Sequence, residues 1–170
     1  KKLINKTIIL SLFVALTGCN DWLDVSPKAD MKAEDLFGTE AGFRDALVGV
    51  YALMCGTNSY GRDLTYGYLD VLAQYYNSPL KTTSSGYEHN FKNAAEYKYT
   101  EKTEESRISS IWSNHFSAVA NINQAMLFID ENKGVFTSPE VHDVYKGEFL
   151  ALRAFLHFDI LRLFAPSAAM

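Results

Sequence analysis

The chain has 170 residues, the length of a single domain, and 48% of them are hydrophobic. Charged residues make up 21% and the net charge is −4, so the chain can bury a core and is unlike a disordered protein. An acidic chain lacks the clustered Lys and Arg that a nucleic-acid partner requires. Its two cysteines are too few for a disulfide scaffold or a zinc site.

Residues 1–18 have the pattern of a secretory signal peptide. Three lysines and no acid accompany the apolar run Ile8–Leu16, which is too short to cross a bilayer because a spanning helix needs about 20 apolar residues. The tetrad Leu16-Thr17-Gly18-Cys19 resembles a bacterial lipobox, in which the cysteine thiol takes a diacylglycerol. We predict that Cys19 is lipidated and that several acyl chains anchor the protein to a membrane. The alternatives are an ordinary signal peptide with an incidental cysteine and a buried N-terminal strand.

Residues 19–38 are predicted to form a tether behind the lipid anchor, because they are largely polar and Pro27 blocks a regular helix. A helical domain is predicted to follow over residues 39–170. Its first helix is Thr39–Met54, in which apolar residues recur at alternating steps of three and one. Thr39 suits the N-cap position of that helix.

The second predicted helix is Leu64–Tyr76, with its apolar residues on one face. Leu80–Thr103 has no period, and its aromatic residues favour a functional loop over a disordered one. Glu104–Glu131 carries a long apolar stripe, and a last helix opens at Ser138-Pro139-Glu140 and ends at Pro166. The short link between these two helices favours an antiparallel hairpin. The predicted fold class is therefore all-α.

The motifs of common enzyme classes are missing from the sequence. It contains no GxSxG, P-loop, GxGxxG, HExxH or CxxC pattern. His115 lies on the apolar stripe, where a hydrogen-bonded core histidine is the favoured interpretation. Asp159 and Arg162 are three residues apart and are expected to pair. We expect no catalytic residue, no metal and no cofactor, and a carboxylate pair for glycoside hydrolysis, which would meet only in the fold, is the enzymatic alternative.

Tyrosines are concentrated between residues 66 and 99. A tyrosine ring has an apolar face and a polar tip, which suits sugar rings because their C–H faces stack and their hydroxyls need partners. The alternative is that half or more of these tyrosines are partly buried and serve packing. The candidate ligand-binding residues are Tyr66, Tyr68, Asp70, Gln74, Tyr75, Tyr76, Asn77 and Tyr87.

Several segments resemble the SusD/RagB lipoproteins. The stretch Asp21–Pro27 after the lipobox cysteine is similar to the start of that family, and so is the helix Thr39–Tyr51. Ile111-Trp112 and Ile122-Asn123 fit the long helix of the family. The most specific segment is Gly147–Phe164 (GEFLALRAFLHFDILRLF), which is similar to a family helix of the form GE..fLRAf.yfdLlrlfG.

The resemblance implies an outer-membrane lipoprotein of Bacteroidota with a tetratricopeptide-like helical scaffold and ligand-side loops. Such proteins cap a SusC-like TonB-dependent transporter and capture glycans, less often peptides, without catalysis. Cys19 would be the lipid site, and no sugar contact can be assigned by the resemblance. Family members run to several hundred residues, so the chain resembles their N-terminal portion. The alternative function is a truncated helical interaction lipoprotein that binds no ligand of its own.

Overall fold

The computed structural model describes residues 32–76 and 91–166. The predictions at Cys19, Asn77 and Tyr87, with the signal peptide and most of the tether, lie outside these residues. The all-α prediction is confirmed, since the described ranges contain helices and no strand. The helices are α1 (Ala33–Leu36), α2 (Glu40–Met54), α3 (Tyr68–Leu72), α4 (Lys92–Ala95), α5 (Lys102–Phe128) and α6 (Pro139–Phe164), with a 3-10 turn at Lys133–Val135.

The first long helix, α2, begins as its sequence predicts. The Thr39 hydroxyl accepts a hydrogen bond from the Gly42 backbone N–H at 3.1 Å, which satisfies one of the unpaired donors at the helix start. Glu40 adds a negative charge where the helix dipole is positive. The folded unit starts before residue 39, however, because Ala33–Leu36 is helical and the Phe37 ring is buried in the core.

Helices α5 and α6 form the predicted antiparallel hairpin. Helix α6 opens on Ser138, whose hydroxyl accepts from the Val141 N–H at 3.4 Å, and Pro139 occupies the first turn. The Arg153 guanidinium on α6 donates a hydrogen bond to the side-chain oxygen of Asn123 on α5 at 3.1 Å. Nearer the link, the Lys146 ammonium lies 2.7 Å from the Asp130 carboxylate. From the first pair to the second, the residue number rises on the α5 side and falls on the α6 side, so the two helices are antiparallel. The tetratricopeptide-like arrangement stays a prediction.

The main core lies between α2, α5 and α6. Phe43 on α2, Ile122 on α5 and Phe149 on α6 each have 0% of their surface exposed. The Phe43 ring lies 5.0 Å from that of Phe37 and 4.9 Å from that of Phe136, so residues outside the three helices close the end of the core. Such burial is the largest favourable contribution to folding.

Two asparagine side chains on or near α5 bind the backbone of the α1–α2 region. Asn114 donates to the Leu53 carbonyl at 3.0 Å, close to the C-terminal end of α2. Asn132 donates to the Phe37 carbonyl at 2.9 Å, just before α2 begins. The Leu53 carbonyl also accepts from the Gly56 backbone N–H at 3.1 Å, so Asn114 adds a second donor there. Asn132 supplies a donor for the Phe37 carbonyl, just after the end of α1.

The predicted helix Leu64–Tyr76 is too long. Only Tyr68–Leu72 is helical, and the residues before it form consecutive turns. Two of these turns need glycine, since an added Cβ at Gly61 would lie 2.2 Å from the Cys55 carbonyl oxygen and one at Gly67 would lie 2.9 Å from that of Arg62. The backbone is therefore folded back on itself until Gly67, and Gln74 ends the segment with a left-handed φ of 58°.

None of the described helices combines the length and hydrophobicity that crossing a membrane requires.

Candidate functional site

Three of the predicted tyrosines are exposed, and a hydrogen bond joins two of them. Tyr66 is 63% exposed, Tyr75 75% and Tyr76 49%. The Tyr66 hydroxyl donates to the Gly61 carbonyl at 3.0 Å, and the Tyr76 hydroxyl donates to the Tyr66 carbonyl. Two of the three rings are thus held in place through their hydroxyl groups while their faces stay accessible to solvent.

Gln74 lies beside these rings but its side chain already has protein partners. Its amide nitrogen donates to the carbonyls of Val71 and Ala95, each at 3.2 Å. We call residues 56–76 the tyrosine segment. Gln74 joins this segment to α4, and its amide N–H groups are committed to that role. Asp70 is half-buried on α3.

Tyr97 adds a further exposed ring beside the end of α3, although the sequence did not single it out as a candidate. Its ring is 49% exposed, and its hydroxyl donates to the Leu72 carbonyl at 3.0 Å. Like Gln74 it has a left-handed backbone, with φ of 54°. The signal in the sequence was the tyrosine concentration itself, which extends to residue 99. We define the tyrosine surface as Tyr66, Gln74, Tyr75, Tyr76 and Tyr97.

Tyr68, another candidate ligand-binding residue, is buried. Only 4% of its surface is exposed, and burial raises the pKa of its hydroxyl to about 12. Its ring packs under the guanidinium of Arg107, 5.6 Å from the ring centre. For this residue the packing alternative holds, because α3 turns the side chain toward the body of the protein.

A cavity of about 370 Å³ lies between α3, α5 and the end of α6. Its lining is aliphatic and aromatic, without a charged side chain, and includes Tyr68 of α3 and Phe164 at the end of α6. The sugar hydroxyls of a glycan would find few hydrogen-bond partners in this lining. The other lining residues are Leu64, Leu69, Leu72, Tyr99, Ile108, Ile111 and Leu163.

A buried group of charges fastens the tyrosine segment to α5. Asp63 is fully buried; its carboxylate lies 2.7 Å from the Arg62 guanidinium and 3.4 Å from that of Arg107. The Arg107 guanidinium also lies 4.6 Å from the centre of the Phe91 ring. Glu104, one turn before Arg107 on α5, is fully buried too. The three-residue spacing of Glu104 and Arg107 is visible in the sequence, but their burial is not.

The histidine on the apolar stripe is a hydrogen-bonded core residue, as predicted. Its Nδ1 lies 2.9 Å from the Ile111 carbonyl, and its Nε2 lies 3.3 Å from the Tyr60 hydroxyl. Tyr60 donates to the Asp159 carboxylate at 2.6 Å, and Asp159 pairs with Arg162 at 2.8 Å, which confirms that predicted pair. Burial, reinforced by Asp159, raises the pKa of the Tyr60 hydroxyl.

The structure thus brings together part of the predicted site. Within residues 32–76 and 91–166, no group of three His, Cys, Asp or Glu side chains is placed to hold a metal ion.

Residues 21–170 match the SusD-like family, which is described as starch-binding and associating with the outer membrane. The chain belongs to the SusD-like family. Proteins of this family bind carbohydrate at the outer membrane in nutrient uptake and are generally non-catalytic. No curated protein and no solved structure matches this SusD-like chain.

Proposed function

We propose that this SusD-like chain captures glycans at the surface of the outer membrane and passes them to a SusC-like TonB-dependent transporter, without catalysis. The observation that carries the proposal is the tyrosine surface, on which exposed rings are held by hydroxyl-to-carbonyl hydrogen bonds. A ring that is already fixed loses little conformational freedom when a sugar stacks on its face.

The other parts of the proposal come from the sequence and the family. Residues 1–18 would direct export, Cys19 would carry the acyl chains, and the residues up to 38 would tether the helical domain, as in lipoproteins of Bacteroidota. Asp70 and Asn77 would contribute hydrogen bonds to sugar hydroxyls, and Tyr87 a further ring. Each stacking contact contributes about 1 kcal/mol, so a few contacts give an affinity in the micromolar to millimolar range.

The test is calorimetric titration of the protein with a starch oligosaccharide. The double variant Tyr75→Ala/Tyr76→Ala removes two exposed rings and should weaken binding about 30-fold, since two contacts of about 1 kcal/mol are lost. The matched control is Tyr51→Ala on α2, where a ring that is 41% exposed lies outside the tyrosine surface. Circular dichroism should show equal helix content in all three proteins. Equal affinity of the double variant and the control would exclude these rings from the site.

A second candidate function is an interaction lipoprotein without a ligand of its own. It is favoured by the apolar side chains that α6 leaves in solvent, of which Val144 is 65% exposed, Phe158 60% and Leu161 61%. This hypothesis predicts that the protein binds no starch oligosaccharide and still co-purifies with a transporter. Retention of the transporter with loss of all glycan binding would therefore favour it over glycan capture.

A further inference from the structure

The cavity between α3, α5 and the end of α6 has room for a small molecule. Its volume of about 370 Å³ is more than twice that of an apolar protein cavity of about 150 Å³ that binds benzene. It also falls within the range of about 300–1,000 Å³ that is typical of ligand pockets. None of its lining side chains is charged. A ligand of this cavity should therefore be neutral and larger than a single benzene ring.

Aromatic rings reach the cavity from three parts of the chain. They belong to Tyr68 on α3, Tyr99 before α5 and Phe164 at the end of α6. Tyr99 is 46% exposed, so its ring is available for contacts that the fold does not already make. Aromatic rings that pack edge-to-face or offset are stabilised by more than the burial of their area alone. The lining therefore favours an aromatic ligand over an aliphatic one.

Tyr68 supplies a polar group to this apolar lining. Only 4% of its surface is exposed, and its hydroxyl has no hydrogen-bond partner among residues 32–76 and 91–166. A buried tyrosine hydroxyl usually has a partner, because an unsatisfied polar group in the interior is costly. The pKa of this hydroxyl is about 12, so at neutral pH it keeps its proton and can donate a hydrogen bond.

We propose that this cavity is a second binding site, which takes a neutral aromatic molecule with one hydroxyl or carbonyl group. The rings of the ligand pack between Leu72 of α3 and Ile108 of α5, and its oxygen accepts a hydrogen bond from Tyr68. Substituted phenols have this chemistry. Sugars do not, because they present many hydroxyl groups for which the lining has few partners. The site therefore goes beyond the proposed glycan capture, with other residues and another class of ligand.

NMR titration of the full chain with 2-naphthol tests the site, because this probe has two fused rings and a single hydroxyl. The methyl signals of Leu72 and Ile108 should shift on binding. Tyr68→Phe keeps the ring and removes the hydroxyl, so its affinity for 2-naphthol should be about fivefold lower, as expected for the loss of one hydrogen bond. Naphthalene, which has no hydroxyl, is the matched probe, and it should bind Tyr68→Phe and the wild type equally.

A variant that fills the cavity gives a second test. Ile108→Trp places a larger side chain at the cavity wall and should lower the affinity for 2-naphthol more than tenfold. Leu127→Trp is the matched control, because Leu127 lies on the same helix, is 66% exposed and is outside the lining. It should bind 2-naphthol as the wild type does. If Ile108→Trp fails to fold, the comparison of Tyr68→Phe with the wild type still decides.

Absence of shifts in the lining methyl groups would overturn the proposal, and so would equal affinities of Tyr68→Phe and the wild type for 2-naphthol. Equal binding by Ile108→Trp and Leu127→Trp would place the probe elsewhere and would also contradict it. Tighter binding of 1-octanol, an aliphatic alcohol of similar hydrophobicity, would make an aliphatic chain the occupant and would overturn the aromatic assignment. None of these measurements involves a glycan, so their results are independent of the proposed glycan capture.

Discussion

Two regions of the protein are stabilised in different ways. The first is the α5–α6 hairpin together with α2, and the second is the tyrosine segment. In the first region, aromatic and aliphatic side chains from α2, α5 and α6 pack into one core. In the second, a small apolar cluster around Leu64, Tyr68 and Val71 is supplemented by buried charges and by tight turns. Apolar packing tolerates little loss of volume, whereas the charge group depends on each partner being present. The two regions should therefore respond to different substitutions.

The largest effect is expected in the hairpin core. Phe43→Ala removes a ring that is 0% exposed and contacts Phe37 and Phe136, so the free energy of unfolding should fall by about 3–5 kcal/mol. Urea denaturation monitored by circular dichroism measures this loss. Val48→Ala, at a position on the same helix that is 59% exposed, should change stability by less than about 0.5 kcal/mol. Similar losses in the two variants would contradict the assignment of Phe43 to the core.

A smaller and more local effect is expected in the charge group. Asp63→Asn leaves Arg62 and Arg107 without their shared carboxylate and should cost about 3 kcal/mol, with faster hydrogen exchange confined to the tyrosine segment. The control is Asp45→Asn, because Asp45 also follows an arginine but its side chain is 67% exposed. That change should cost at most about 0.5 kcal/mol. Uniformly faster exchange over α2, α5 and α6 would show that the two regions are one cooperative unit.

The third change tests the connection between the regions. Tyr60 lies in the tyrosine segment and donates to Asp159 on α6 at 2.6 Å, so Tyr60→Phe should destabilise the protein by about 2 kcal/mol. Tyr51→Phe removes a hydroxyl that makes a bond of the same 2.6 Å length to Glu148, but at an exposed position, and should cost less than about 1 kcal/mol. Thermal unfolding of both variants gives the comparison. A Tyr60→Phe protein as stable as Tyr51→Phe would mean that the buried bond contributes nothing extra.

The two regions also differ in how well the sequence predicts them. The bounds of α2, α5 and α6 are close to the predicted ones, because their periodic apolar residues and capping residues are local signals. The extent of α3 was overestimated because the turns before it depend on close backbone contacts at Gly61 and Gly67. No periodicity reports such contacts. The sequence has no signal for them beyond the glycines themselves.

Within the candidate site, some of the predicted residues are exposed and others are buried. Tyr66, Tyr75 and Tyr76 are exposed, which the sequence could not show, and their contact with a ligand stays a prediction. Tyr68 could not be told apart from them, since its burial results from packing under Arg107, which is distant in sequence. The role of Asp63 was missed for the same reason. A charge buried by a distant partner has the same local sequence as a charge in solvent.

The two asparagine bonds to the α1–α2 region have a mechanical consequence. Asn114 holds the Leu53 carbonyl and Asn132 holds the Phe37 carbonyl, so α2 is bound near both of its ends. A slide of α2 along α5 by one helical turn, about 5.4 Å, would break both bonds at once. The tyrosine segment follows the end of α2 at Met54, and its starting point is therefore fixed against translation. Movements of the tyrosine surface must then arise as rotations about the turns rather than as displacement of the helix that precedes them.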